Sequence, residues 1–319
     1  MDGGAALPVT AAADRGKIAR LTRSAALAST ATALGLLGLK GYAAWTTDSV
    51  AMLGSLADTG LDLIASLVTL FGVVVAARPA DEDHRFGHGK AEAIAALFQV
   101  VVIAMSALAI AARAIGRLIS GDTTANAEFG IGVSIAAILA TFALIAYQRH
   151  VIARTGSVAI NADHVHYQSD LLLNGAVIAA LVLDQYLGVR GADPVLGVLI
   201  AAWLLFGAWR ASTQAIDQLM DKEWPEEKRQ RFLAVAGRHP ELIGIHDLRT
   251  RTSGAQDFVQ FHVWVDPAMT VAEAHRVMDE VEARLEREFP GTEVLIHPDP
   301  EGQIDRAGME DEALRETPQ

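Results

Sequence analysis

The sequence predicts an α-helical membrane protein with six transmembrane helices, followed by a cytoplasmic α+β domain whose elements run αββαβ. The mean hydropathy of the 319 residues is positive, at +0.28. Residues 1–220 hold 14 Lys or Arg and 16 Asp or Glu, whereas the shorter remainder, 221–319, holds 12 and 22. A charge-poor region followed by a charge-rich one is typical of a membrane domain followed by a soluble one.

The six helices follow from stretches long enough to cross a bilayer, which takes about 20 mostly apolar residues. The candidate stretches are 21–47, 49–77, 91–118, 128–149, 157–187 and 194–216. The third and fourth are the clearest, because 93–112 and 129–148 contain no charged residue. With the N-terminus inside, the inner flanks carry nine Lys or Arg and the outer flanks three. This asymmetry predicts that both termini are cytoplasmic.

After the last apolar stretch, the pattern becomes that of a small soluble domain. A helix is expected over 225–238 and a second over 271–288. Strands are expected over 243–252 and 257–266, joined by a turn at Ser253 and Gly254, and over 292–297. We therefore divide the chain into an N-terminal cytoplasmic extension (1–18), a six-helix membrane domain (19–218), a cytoplasmic metal-binding domain (219–302) and a disordered acidic tail (303–319).

Composition excludes several kinds of function. The chain has no cysteine, so any metal must be held by histidine and carboxylate side chains. Of the net charge of −12, −10 lies in residues 221–319, and an acidic soluble part argues against a nucleic-acid partner, which requires a basic face. The sequence contains neither a GxxxxGK[ST] loop for ATP nor an HExxH motif, which argues against an ATP-driven pump and a zinc hydrolase.

The second and fifth apolar stretches carry ionisable residues, which are costly inside a membrane and therefore indicate function. Asp58 and Asp62 are four residues apart, as are His166 and Asp170, so each pair lies on one helical face. If the two faces meet, three carboxylates and one imidazole converge. Such a group would bind a divalent cation such as Zn²⁺, or protons, and a structural polar cluster between helices is the plainer alternative.

Three further groups of residues have the composition of metal sites. Asp81, His84 and His88, in the loop between the second and third stretches, form either a second cation site or an ordinary solvated loop. The predicted soluble domain contains five of the ten histidines. Its candidate ligands are His246, His262, His297 and Asp299, with His275 as an additional one. By contrast, we expect Asp163 and His164 to face away from the membrane pair and to lie at the membrane interface.

The motifs that carry these residues, taken in order, resemble the cation diffusion facilitator family. They are SLADTGLD at 55–62, RPADEDH at 78–84, FGHGKAE at 86–92 and HYQSD at 166–170. The runs HDLRTR at 246–251 and HPDP at 297–300 are similar to the bacterial ferrous-iron/zinc efflux branch of that family. The resemblance extends over about residues 20–302.

The resemblance implies a homodimeric metal/proton antiporter of the bacterial inner membrane, not an enzyme, with a metallochaperone-like cytoplasmic domain. It assigns the transport site to Asp58, Asp62, His166 and Asp170, the loop site to Asp81, His84 and His88, and the cytoplasmic site to His246, His262, His275, His297 and Asp299. A charge interlock would pair Lys90 with Asp221.

We therefore expect the protein to expel Zn²⁺, with Fe²⁺ and Cd²⁺ as other substrates, in exchange for protons. His166 would couple metal to proton, because an imidazole changes its protonation near neutral pH. Zinc would be both substrate and regulatory ion, and no organic cofactor is expected. The alternatives are the same fold acting mainly on iron or manganese, a metal sensor without transport, a channel, or a membrane metalloenzyme.

Overall fold

The computed structural model describes residues 9–47, 50–120, 131–187 and 192–302. They separate into two compact units, Ala19–Ile216 and a second that contains the described residues before Ala19 and those from Asp217 onward. The expected acidic tail (303–319) lies outside the described residues.

The first unit is built from long helices in chain order. They are α1 (Val9–Thr47), α2 (Val50–Ala76), α3 (Ala91–Ser120), α4 (Ile131–Thr155), α5 (Val158–Leu187) and α6 (Ala192–Leu219). In the described residues, the helices long and apolar enough to span a membrane number four, within α2, α3, α4 and α6. The expectation of six spans is thus confirmed for four helices. Lys40 in α1 and the ionisable residues of α5 lower the apolar character of the other two.

Small residues let the helices of this unit approach closely. Ala95, Ala159 and Val73 are buried in one cluster, and Ile103 and Leu204 are buried in another. A side chain at Gly72 of α2 would meet the Cβ of Ala95 in α3 at 2.4 Å, so only glycine fits there. Large apolar side chains face outward instead, as expected where lipid replaces water. Among these are Leu61, Phe71, Met105, Leu139 and Phe206.

The second unit has the predicted order αββαβ. Its elements are α7 (Glu226–Ala236), β1 (Gly244–Ser253), β2 (Gln256–Val265), α8 (Val271–Glu288) and β3 (Thr292–Pro300). The strands lie in the order β1-β2-β3, with β1 antiparallel and β3 parallel to β2. At the β1–β2 turn, Gly254 has a φ of 60°, which glycine adopts without strain.

The core of this unit lies between the sheet and the two helices. Phe232 of α7 is fully buried, and its ring centroid lies 5.6 Å from that of Phe261 in β2 and 5.3 Å from that of Phe289. A capping box also fixes where α8, which covers this core, begins. The Thr270 side chain accepts from the Glu273 backbone N–H at 3.3 Å, and the Thr270 N–H donates to the Glu273 carboxylate at 2.8 Å.

Candidate metal-binding sites

The first cluster joins α2 to α5 inside the helical unit. Asp62, His166 and Asp170 each offer a ligand atom, and these atoms all lie within 4.8 Å of one another. The Nε2 atom of His166 lies 3.1 Å from Oδ1 of Asp62. The cluster forms because His166 and Asp170 are one helical turn apart on α5 and both face α2. Two carboxylates and one imidazole can bind a divalent transition metal or protons.

The structure does not bring Asp58 into this group. Asp58 lies one turn before Asp62 on α2, its side chain is exposed, and the group within 4.8 Å does not include it. Its assignment as a fourth ligand stays a prediction.

Polar contacts around the cluster join α5 to α1 and α2. The Tyr167 hydroxyl lies 2.9 Å from the Ser66 hydroxyl on α2 and donates to the Ser29 carbonyl on α1 at 3.1 Å. Tyr167 is 1% exposed and follows His166 directly in the sequence. These bonds fix the position of α5 where it carries the ligands.

Our expectation that Asp163 lies at the membrane interface is wrong. Its carboxylate is fully buried and accepts from the amides of Gln99 on α3, at 2.7 Å, and Gln148 on α4, at 2.8 Å. The Gln148 amide also donates to the Ser29 hydroxyl at 3.0 Å. Helical angle alone placed Asp163 away from the metal face; it could not show that two other helices cover it. The glutamines in otherwise apolar stretches were the available signal.

The loop cluster between α2 and α3 is also brought together. Nδ1 of His84 and Nε2 of His88 lie 3.1 and 3.2 Å from the two carboxylate oxygens of Asp81. Gly87, with a φ of 76°, lets the loop turn back between the two histidines. The His84 backbone N–H donates to Asp81 at 2.7 Å and lowers the pKa of that carboxyl. The site is open, since Asp81 and His84 are both more than half exposed.

The third cluster, which we call the cytoplasmic cluster after its predicted location, comprises His246, His262, His297 and Asp299 and depends on strand register. His246 pairs with His262 across β1 and β2, and His262 pairs with His297 across β2 and β3. Both oxygens of Asp299 are used. Oδ2 lies 3.1 Å from Nε2 of His246 and 2.8 Å from Nδ1 of His262, and Oδ1 lies 3.3 Å from Nε2 of His297.

The side chains of this cluster differ in how far they are buried. His246 and Asp299 are buried, His262 is half-buried, and the His297 side chain is 60% exposed. Burial lowers the pKa of His246, which keeps its imidazole neutral and able to bind a metal at neutral pH. His246, His262 and Asp299 have ligand atoms within 4.8 Å of one another.

The two remaining predicted positions lie elsewhere in the second unit. His275 is on α8, 75% exposed, with its Nδ1 3.1 Å from Asp279, and it is not in the group within 4.8 Å. Asp221 lies 3.7 Å from Arg251 within its own unit. The interlock between Lys90 and Asp221 stays a prediction.

Comparison with known proteins gives two family matches that together cover most of the chain. Residues 26–220 match the cation efflux transmembrane domain, and residues 224–301 match the cation efflux protein cytoplasmic domain. The chain is 43% identical over 282 residues to the cation-efflux pump FieF of Yersinia pestis (strain Pestoides F), covering 88% of this chain and 94% of that protein. The FieF protein of Yersinia pseudotuberculosis serotype I (strain IP32953) matches to the same extent.

Among solved structures, the metal-bound C-terminal domain of the CzcD transporter from Thermotoga maritima is 27% identical. That match covers 25% of this chain and 95% of that one, with a TM-score of 0.24. The match to the transmembrane domain and the 43% identity to FieF show the family. The chain belongs to the cation efflux family, whose members are transporters rather than enzymes.

Proposed function

We propose that this chain exports a divalent transition-metal ion from the cytoplasm in exchange for protons, working as a homodimer with six membrane-spanning helices in each subunit. Zn²⁺ is the proposed main substrate, and Fe²⁺ and Cd²⁺ are the other candidates. The observation that supports this most directly is the cluster of Asp62, His166 and Asp170 between two helices of the membrane unit.

The ligand chemistry favours zinc without restricting the site to it. One imidazole and two carboxylates are borderline ligands that suit Zn²⁺ and also accept Fe²⁺, Cd²⁺, Co²⁺ or Mn²⁺. Asp58, one turn away on α2, is the proposed fourth ligand, supplied when the helices close around the ion.

Proton exchange follows from competition for the same atoms. A metal binds His166 only when the ring nitrogen is deprotonated, so binding releases a proton and protonation favours release. Nε2 of His166 lies 3.1 Å from Asp62, so an imidazolium formed after metal release remains paired with a carboxylate. Opening the cluster to each side in turn would then exchange metal for proton.

The cytoplasmic cluster has a proposed regulatory role. Metal bound by His246, His262 and Asp299 would draw the three strands' ligands together and stabilise this unit, which matches a cytoplasmic domain of the family. The exposed His297 and His275 would complete the site against the second subunit. Stabilising the dimer on the cytoplasmic side would raise transport when cytoplasmic metal is abundant.

The test is transport by the full-length protein in proteoliposomes with a pH step across the membrane. Zn²⁺, Fe²⁺, Cd²⁺ and Mn²⁺ are compared side by side, with one dye reporting metal and another reporting internal pH. Asp62→Ala should reduce metal movement to the level of protein-free liposomes, whereas Asp83→Ala, which changes an exposed acid of the loop, should not.

Four results would contradict the proposal. Transport by Asp62→Ala at the parent rate would remove the cluster from the pathway. Metal movement with no change of internal pH would exclude antiport, and electrical current through the protein would indicate a channel instead. A parent protein that binds metal but moves none would support the sensor alternative.

A further inference from the structure

We propose that Lys40 is a counter-cation of the membrane cluster, the group of Asp62, His166 and Asp170. Its charge weakens metal binding and stabilises the cluster when the metal has left. This inference deepens the proposed transport function and depends on it. Among the residues that the structure describes, Lys40 belongs to none of the metal-ligand groups, and its helix contributes no ligand to them.

The Lys40 ammonium faces the neighbouring helix. Lys40 lies in the last third of α1 (Val9–Thr47), and its Nζ donates to the Thr59 hydroxyl of α2 at 2.7 Å in a partly buried contact. Thr59 is 1% exposed. Lysines near the ends of membrane helices usually extend to the interface, where water solvates the charge. Here the charge is directed to a buried hydroxyl instead.

Thr59 brings this charge to the face that carries the metal ligands. Thr59 and Asp62 are three residues apart on α2 and therefore lie on one face of the helix. Across the helix pair, the charge of Lys40 also acts electrostatically on the Asp170 carboxylate of α5. The Lys40 ammonium therefore acts on the Asp170 carboxylate and contacts a hydroxyl that shares a helical face with Asp62.

The charge of the site with and without its metal ion explains how Lys40 would act. An emptied site leaves the Asp62 and Asp170 carboxylates close together in a poorly solvated region, which is unfavourable without a nearby cation. Lys40 lowers that penalty and at the same time repels an incoming divalent ion. Both effects favour release, so the residue limits affinity in order to permit turnover.

We predict that removing the Lys40 charge tightens metal binding and slows turnover. Lys40→Gln keeps an N–H donor for Thr59 and removes the charge. We expect its KM for Zn²⁺ to fall by about fivefold to tenfold, which is at the lower end of the range for coupling between two sites. Its maximal transport rate should fall as well. A purely structural role of Lys40 would raise KM or lower the rate alone.

Three matched variants separate charge from hydrogen bonding and from general effects. Thr59→Val removes the acceptor and leaves the charge, so its KM should stay closer to the parent value than that of Lys40→Gln. Lys40→Arg retains the charge and should preserve a KM near that of the parent. Lys17→Met changes the other lysine of α1, which is exposed, and should leave both parameters unchanged.

Binding is measured directly by calorimetric titration of Zn²⁺ into the detergent-solubilised full chain, with the Asp62→Ala titration subtracted to remove the other sites. Tighter binding in Lys40→Gln supports the inference even if that variant no longer transports. Unchanged or weaker binding, or an unchanged or higher KM, overturns it. If Asp62→Ala itself transports normally, the proposed function has failed rather than the role of Lys40.

Discussion

The membrane cluster and the cytoplasmic cluster use the same residue types on different frameworks. Asp62, His166 and Asp170 lie on two helices, with two carboxylates for one imidazole. His246, His262 and Asp299 lie on three hydrogen-bonded strands, with two imidazoles for one carboxylate. Helices can move against each other because their backbone hydrogen bonds lie within each helix. Strands of one sheet cannot, because their backbone hydrogen bonds join one strand to the next. The first framework suits a site that opens and closes, and the second suits a site that responds to metal while staying assembled.

The largest effect should come from exchanging one carboxylate in each cluster for an amide. Asp170→Asn removes one of the two carboxylates of the group formed by Asp62, His166 and Asp170, so metal movement in proteoliposomes should fall to background. Asp299→Asn should weaken zinc binding by the cytoplasmic unit about 100-fold, because one carboxylate contacts all three histidines there. Its proteoliposomes should still transport at saturating zinc.

As a control, zinc binding by the cytoplasmic unit and transport in proteoliposomes are both measured on each variant. Asp170→Asn should leave the zinc affinity of the cytoplasmic unit unchanged. Equal loss of transport in both variants would mean that the two clusters work as one site.

The second prediction tests how far the cytoplasmic cluster depends on the core beneath its sheet. Phe232→Ala leaves a cavity against Phe261, which lies on the strand that carries His262, and should lower the free energy of unfolding by about 3–5 kcal/mol. Urea unfolding of residues 221–302, which have their own core, measures this. Leu295→Ala, at a side chain 62% exposed, should change stability by less than about 0.5 kcal/mol.

Sequence periodicity accounts for the membrane cluster more directly than for the cytoplasmic one. The spacing of His166 and Asp170 placed both on one face because an α-helix repeats every few residues, and the partner helix then completed the group. The cytoplasmic site needed the register of three strands, including the bulge between His246 and Arg249, which no local pattern specifies. The strand at 292–297 was predicted too short for the same reason, since Asp299 and Pro300 pair with Trp264 and Val265.

Burial of polar side chains inside the helical unit was the least predictable feature. Asp163 and His166 are both buried on α5, yet only His166 is in a metal-ligand group. The difference lies in what α3 and α4 present to Asp163, namely two glutamine amides. Helix packing, not helix periodicity, decides which buried acid has neutral partners, and a single sequence does not specify that packing.

The third prediction concerns pH and applies to the cytoplasmic cluster alone. Burial lowers the pKa of His246 below its usual value of about 6.5, so the folded state binds fewer protons than the unfolded state in this range. The free energy of unfolding is therefore highest above about pH 6.5 and declines as the pH falls towards the lowered pKa of His246. Urea unfolding of metal-free 221–302 between about pH 7.5 and pH 5.5 should show this decline.

His246→Gln provides the comparison, because glutamine does not titrate. The variant should lose less stability over the same pH interval than the parent does. An identical decline in both proteins would assign the pH dependence to other groups.

The smallest effect is expected at His275, and it distinguishes a site within one subunit from a site shared between two. His275 is 75% exposed, is paired with Asp279 and lies outside the group formed by His246, His262 and Asp299. In dilute, monomeric 221–302, His275→Ala should therefore change zinc affinity by less than about twofold, within the range of surface substitutions. At concentrations where the unit dimerises, a larger loss would show that His275 binds zinc together with the second subunit. A large loss in the monomer would instead mean that α8 moves towards the sheet when metal binds, and the cytoplasmic cluster would then resemble the membrane cluster in closing around its ion.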